Sequence, residues 1–162
     1  MKLHDALIAK AEMLIRRPVA EVFEAFVDPA ITSRFWFTRG SGRLEAGKRV
    51  TWHWDMYGIE VQVLVKAIEP GSRILIEWSS ADEVPTAVEW TFTERADGAT
   101  FVSIANSGFS GNADEIITQA LDSTGGFALV VAALKAWLEH GIELNLVADR
   151  FPDHGADTEQ KQ

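Results

Sequence analysis

The sequence predicts an α+β fold: a curved antiparallel sheet wrapped around a long C-terminal helix, with two short helices after the first strand. Three observations carry this. A helical start runs from Pro18 to Trp36, about 55 residues of Trp-rich alternation follow it, and an amphipathic stretch from about Gly126 to Ala148 closes the chain. A half-open sheet closed by one long helix tends to leave an apolar hollow between the two layers.

Leu7 to Ile15 alternates imperfectly and reads as the first strand, which Arg16-Arg17-Pro18 ends. Pro18 suits the first turn of a helix, where its missing N–H costs nothing. Val19, Val22, Phe23, Phe26 and Val27 follow at helical spacing. Asp28-Pro29 stops that helix, and Ala30 to Trp36 reads as a second short one. Gly40, Gly42 and Gly47 mark a turn region.

Period-two alternation then sets in. Val50, Trp52, Trp54 and Met56 share one face, with Thr51, His53 and Asp55 opposite. After a turn at Gly58, Ile59, Val61, Val63 and Val65 share a face against Glu60, Gln62 and Lys66. Pro70-Gly71 turns the chain into Ile74, Ile76 and Trp78, which oppose Arg73 and Glu77. Val88, Trp90 and Phe92 alternate with Glu89, Thr91 and Thr93, Asp97-Gly98 makes a hairpin turn, and Phe101 to Phe109 is the last strand. Such a meander has one apolar face, and the C-terminal helix is the element available to cover it. Asn112 with Glu115 three residues on resembles a capping box, and Gly125-Gly126 reads as an interruption or a point of close approach to the sheet. Phe127, Val131, Leu134, Leu138 and Ile142 form the helix stripe. About 23 helical residues would span roughly 34 Å.

With 162 residues, 47% of them apolar and 24% charged, the chain fits one globular domain, read as residues 1–151 with a polar tail at 152–162. No continuous apolar run approaches the roughly 20 residues of a membrane span, and Asp5 and Lys10 break the N-terminal apolar stretch where a secretory signal needs continuity. The expected location is the cytoplasm. The absence of cysteine excludes disulfides, thiolate nucleophiles and Cys-ligated metals. A net charge of −9 argues against nucleic acid as a partner. The charge is uneven: Arg34, Arg39, Arg43, Lys48 and Arg49 face Glu45 alone between Ala30 and Val50, whereas acids dominate from Asn112 onward.

Several of these residues carry a family resemblance. They are Arg17-Pro18-Val19-Ala20-Glu21-Val22-Phe23, Asp28-Pro29, Phe35-Trp36, Gly47, the Trp-containing strands, and Leu134-Lys135-Ala136-Trp137-Leu138-Glu139-His140-Gly141. Over about residues 8–150 the chain resembles the helix-grip fold of the START-like (SRPBCC) superfamily, in the branch related to the C-terminal domain of the activator of Hsp90 ATPase. The resemblance implies a cavity between sheet and last helix. It implies no single ligand or activity, because the fold hosts carriers, receptors, cyclases and dealkylases. The sequence shows no counterpart of that co-chaperone's N-terminal domain.

On that implication the expected wall of the hollow is Phe26, Trp36, Trp52, Trp54, Trp78, Trp90, Phe127, Val131 and Leu134, with Arg34 and Arg39 as candidate anchors for an anionic group at the mouth. Other candidates read better as ordinary surface. His53 and Asp55 could be a base with its orienter or half a metal site, but no further ligands are in view. Glu77 and Glu89 fall on the face away from the helix. His140 and Glu143 stand three apart on the expected helix, Ser107 to Ala113 could form a lid, and His4 and His154 lie near the termini. No phosphate-loop, dinucleotide, zinc-protease or serine-hydrolase motif occurs. The expectation is therefore a binding protein for a hydrophobic or amphipathic small molecule, with no catalytic residue, metal or cofactor assigned. A cyclase- or hydrolase-type enzyme using the same cavity, or a co-chaperone-like interaction domain, is the alternative. A homodimer is compatible with each.

Overall fold

The computed structural model describes residues 7–153. His4, His154 and nearly all of the expected polar tail lie outside them. The elements are β1 (Ala9–Ile15), α1 (Val19–Val27), α2 (Pro29–Thr32), β2 (Arg39–Gly40), β3 (Arg49–Trp54), β4 (Ile59–Glu69), β5 (Arg73–Ser79), β6 (Thr86–Glu94), β7 (Thr100–Ser107), α3 (Ala113–His140) and α4 (Leu146–Asp149). The seven strands form one antiparallel sheet in the order β1-β7-β6-β5-β4-β3-β2. The meander from β3 to β7 is therefore a run of neighbours, and β1 closes onto β7. A register shift between Val65 and Ala67 bends β4, a bulge that adds curvature to the sheet.

Period-two alternation supplies the inner face. Val50, Val63, Val65, Ile74, Ile76, Val88, Val102 and Ile104 are all buried there. Helix α3 lies across this face. An Asn112 cap starts it: the Asn112 carboxamide accepts from the Glu115 N–H at 2.9 Å, and the Glu115 carboxylate accepts from the Asn112 N–H at 3.3 Å. Gly141, with φ of 65°, stops it in the left-handed conformation that favours glycine.

The structure corrects several expectations. Helix α3 begins at Ala113 rather than near Gly126, and it ends at His140 rather than Ala148. It passes unbroken through Gly125-Gly126, where added Cβ atoms would meet nothing within 4 Å. The glycines therefore neither interrupt the helix nor bring it close to the sheet; the reciprocal cap and long flanks carry a cost of about 1 kcal/mol per glycine. Ile142, expected on the helix stripe, lies beyond the helix end and is 50% exposed. Met56 leaves the Trp52–Trp54 face because Asp55–Tyr57 is a 3-10 turn closed by Gly58 at φ 63°. Pro18 is the cap of α1 rather than a residue of its first turn. Helix α2 stops at Thr32, short of Trp36, and the chain continues in tighter turns in which the Arg34 N–H reaches the Ile31 carbonyl at 2.9 Å and the Phe35 N–H the Thr32 carbonyl at 3.2 Å.

The turn region contains an unexpected short strand, β2, paired with β3. Gly40 is closely packed there: a Cβ would come within 3.1 Å of Pro29 and 3.2 Å of both Phe37 and Trp52, a tight fit that larger side chains would crowd. By length and composition alone α3 could cross a membrane. Here it is the core helix, with Ile116, Ala120, Phe127, Val130, Val131, Ala133 and Leu134 buried.

Candidate functional site

At one end of the sheet the two layers part. The C-terminal ends of β3, β5 and β7, the starts of β4 and β6, and the first half of α3 enclose a hollow of about 870 Å³. That lies within the range of small-molecule sites. Its floor is aromatic. Trp36, held in the turn after α2, stands 5.9 Å from Trp54, 5.9 Å from Trp78 and 5.7 Å from Phe127, ring centre to ring centre. Trp78 and Phe127 stack at 5.7 Å with 24° between their planes. Val61 and Val130 complete the apolar wall.

A hydrogen-bonded group occupies the other side. Asn106, on the inner face of β7, is 3% exposed. Its amide nitrogen donates to the Ala87 carbonyl at 2.8 Å and to the Thr86 hydroxyl oxygen at 3.0 Å. Its carbonyl accepts from the Ser123 hydroxyl at 2.8 Å. The Trp78 indole N–H donates to the same Thr86 oxygen at 3.0 Å. Thr86 stands opposite Trp78 in the β5–β6 register, so the aromatic floor and the polar side are joined through one hydroxyl. Gln119, one helical turn before Ser123, donates to the carbonyls of Ser110 (2.8 Å) and Glu115 (3.1 Å).

The mouth mixes exposed apolar side chains (Ile59, Val84, Phe151) with Glu83, Asp122 and Arg150. The segment after α3 returns across it. The Tyr57 hydroxyl donates to the backbone carbonyls of Val147 and Ala148, and its ring meets Phe151 at 6.2 Å.

Of the expected wall, Trp36, Trp54, Trp78 and Phe127 line the hollow. Phe26, Trp52, Trp90, Val131 and Leu134 do not; each is at most 2% exposed in the solid core behind it. Trp52 shares a face with Trp54 but lies nearer the strand centre, where Phe37 (5.0 Å) and Trp36 (5.1 Å) cover it. Trp90 stands opposite Ile74 and Ile104 under the Phe26 ring, 5.7 Å away. Alternation fixes which face a residue takes, not how far along the strand the opposing layer stays in contact.

Arg34 and Arg39 are away from the mouth. Arg34 lies 3.9 Å from Glu143 and over the Trp137 ring at 5.6 Å, and Arg39 pairs with Asp55 at 3.2 Å. Arg43 pairs with Glu24, which with burial opposing holds its guanidinium pKa above the ordinary value. Arg34, Arg39 and Arg43 are thus matched by acids from the chain after α3, the 3-10 turn and α1, and Lys48 by Glu45 within the run itself. The arginine that does line the mouth is Arg150.

Asp55 is committed to Arg39, which leaves His53 on the outer face opposite Arg39 and Glu60. Glu77 pairs with Lys66 and Glu89 with Arg73 on that same outer side. Glu143 lies beyond the end of α3, so it does not share a helix with His140. Among the described residues no group of three or more His, Asp or Glu could hold a metal. The loop between β7 and α3 is anchored, since Phe109 is 3% exposed and packs with Ala9, Ile116 and Ala120.

Asn106, Thr86, Ser123, Gln119 and Tyr57 were not among the expected residues. Asn106 had a readable signal: it continues the inward series Val102, Ile104 as a polar residue. Ser123 and Gln119 had none, because the expected apolar stripe began only at Phe127 and left the turn they occupy without an assigned face.

A family model described as activator of Hsp90 ATPase homolog 1-like protein matches residues 16–139. No curated protein matches the chain. Solved structures with the same fold include protein SSP2350 from Staphylococcus saprophyticus, 28% identical, covering 85% of this chain and 96% of that one with a TM-score of 0.72. DynU16, from the dynemicin biosynthetic locus, is 24% identical, covers 84% of this chain and 48% of that one, and has a TM-score of 0.73. The Aha1 dimer from Colwellia psychrerythraea is 15% identical, covers 83% and 98%, and has a TM-score of 0.72. The open antiparallel sheet wrapped on one long C-terminal helix is the helix-grip arrangement, and the match across most of its length shows that the chain belongs to the activator of Hsp90 ATPase homolog 1-like family of the START-like superfamily.

Proposed function

We propose that this protein binds an apolar or amphipathic small molecule in the hollow between the sheet and the first half of α3. The observation that carries the reading is the pairing of an aromatic floor with a buried, satisfied polar group inside about 870 Å³. A floor of Trp36, Trp54, Trp78 and Phe127 offers large apolar area to a ring or chain. The group around Asn106 orients a polar substituent without leaving a buried amide unpaired. The charged side chains that line the hollow, Glu83, Asp122 and Arg150, are exposed at its mouth, and the Tyr57 hydroxyl is engaged with the Val147 and Ala148 carbonyls, which favours binding over acid–base chemistry inside it.

The test is native mass spectrometry of the purified protein, followed by titration of its tryptophan fluorescence with ring-containing and aliphatic compounds. Three of the six tryptophans line the hollow, so a bound molecule should give a saturable change. That change should be lost in Trp78→Ala with the fold retained. No copurified mass and no saturable change across the panel would overturn the reading. The same spectra report the assembly mass and so test the homodimer, which forms part of this proposal together with a cytoplasmic location.

A further inference from the structure

The hydrogen bonds around Asn106 are directional, and their directions leave a specific set of free valences facing the hollow. The amide nitrogen of Asn106 meets the Ala87 backbone carbonyl at 2.8 Å. A carbonyl can only accept, so the carboxamide cannot be turned over, and its oxygen must face Ser123. Ser123 then spends its single proton on Asn106 and presents lone pairs to the hollow. Gln119 is fixed in the same way, because its nitrogen meets the carbonyls of Ser110 and Glu115, and its carbonyl oxygen is left free. Thr86 is the opposite case. Its oxygen accepts from both Trp78 and Asn106, which fills both lone pairs and leaves its O–H as a donor.

The polar side therefore offers acceptors at Ser123 and Gln119 and one donor at Thr86. All three residues line the hollow. The mouth adds carboxylates at Glu83 and Asp122 against the single guanidinium of Arg150, which lies over the Phe151 ring at 4.4 Å. A carboxylate ligand would bring acceptors to acceptors and negative charge to a net negative rim. A hydroxyl group supplies the donor that Ser123 and Gln119 lack and can accept from Thr86.

We propose that the hollow selects neutral, hydroxyl-bearing ring compounds and disfavours carboxylates of the same size. This rests on the small-molecule reading above, and three matched probes separate the two. Naphthalene, 2-naphthol and 2-naphthoate would be titrated against the wild-type protein near neutral pH. The naphthol should bind about fivefold more tightly than naphthalene, the increment of one net hydrogen bond, and the naphthoate should bind more weakly than naphthalene. Ser123→Ala should narrow the ratio of naphthol to naphthalene affinity, leaving Gln119 as the remaining acceptor. Glu83→Gln combined with Asp122→Asn, both at exposed positions, should raise the naphthoate relative to the two neutral probes. Binding of all three with equal affinity, or tightest binding of the naphthoate, would overturn the selectivity while leaving the cavity reading intact. No binding of any probe would overturn both.

Discussion

The two halves of α3 face the same sheet and end in opposite states. From Phe127 to Glu139 the helix is fastened. Val130, Val131, Ala133 and Leu134 are buried, the Lys135 ammonium donates to the Leu14 carbonyl at 2.8 Å, and the Glu139 carboxylate accepts from the Arg16 N–H at 2.9 Å. From Gln119 to Gly126 the helix instead offers Gln119, Asp122, Ser123 and two glycines. These are side chains too small or too polar to fill the space over β5–β7. The hollow is thus a local deficit of apolar volume in an otherwise solid sandwich, and Asn106 extends that deficit into the sheet. The contrast shows that the space itself comes from a few small or polar residues of the first helix half, while Phe127 and Val130 at the start of the second half, with Trp36, Trp54 and Trp78, supply its apolar wall.

Substitutions can break that contrast in order of effect. Leu134→Ala, in the fastened half, should destabilise the protein by about 2–5 kcal/mol, measured by chemical denaturation, and leave the affinity for naphthalene of the folded fraction unchanged. A substantial loss of affinity would show that the two halves are not independent. Asn106→Ala should cost about 1–3 kcal/mol because it strands Ser123 and the Ala87 carbonyl. Unlike Leu134→Ala, it should also erase the preference for naphthol over naphthalene.

Glu139 sharpens the contrast through pH. Burial opposes its ionisation, yet the Arg16 N–H and the Lys135 ammonium together hold its carboxyl below the ordinary carboxylate range. A depressed folded-state pKa means that this contribution is fully present above the unfolded carboxylate pKa. It is lost as pH falls through the folded value. Glu139→Gln should therefore be destabilised near neutral pH by about 1–3 kcal/mol, with the difference from wild type closing in acid. A constant difference across that range would place the effect in packing. The smallest expected change is Gly126→Ala, which should raise stability by about 1 kcal/mol from helix propensity alone, since the new Cβ would meet nothing within 4 Å.

The fold was largely legible in the sequence. Alternation at Val50–Trp54, Ile59–Val65, Ile74–Trp78 and Val88–Phe92 gave the strands, and the order of elements led to the helix-grip arrangement. The N-terminal cap of α3 was legible in Asn112 and Glu115, but its continuity and its end were not, because Gly125-Gly126 looks like a break when propensity is read locally, whereas the helix runs through them to the stop at Gly141. The site was only half legible. Trp36, Trp54, Trp78 and Phe127 were expected at the hollow and line it, but Trp52 and Trp90 show that face and depth are separate questions. Arg34, Arg39 and Arg43 misled because their partners, Glu143, Asp55 and Glu24, are distant in sequence and adjacent only once the chain is folded.

The central claim is that the space beside Gly126 is a binding cavity. The most direct measurement is a tryptophan-fluorescence titration with 2-naphthol of the wild type and of Gly126→Phe, whose ring would occupy that space. The wild type should bind saturably, and a Gly126→Phe variant of at least equal stability should not bind. Equal binding by both proteins, or none by the wild type, would contradict it.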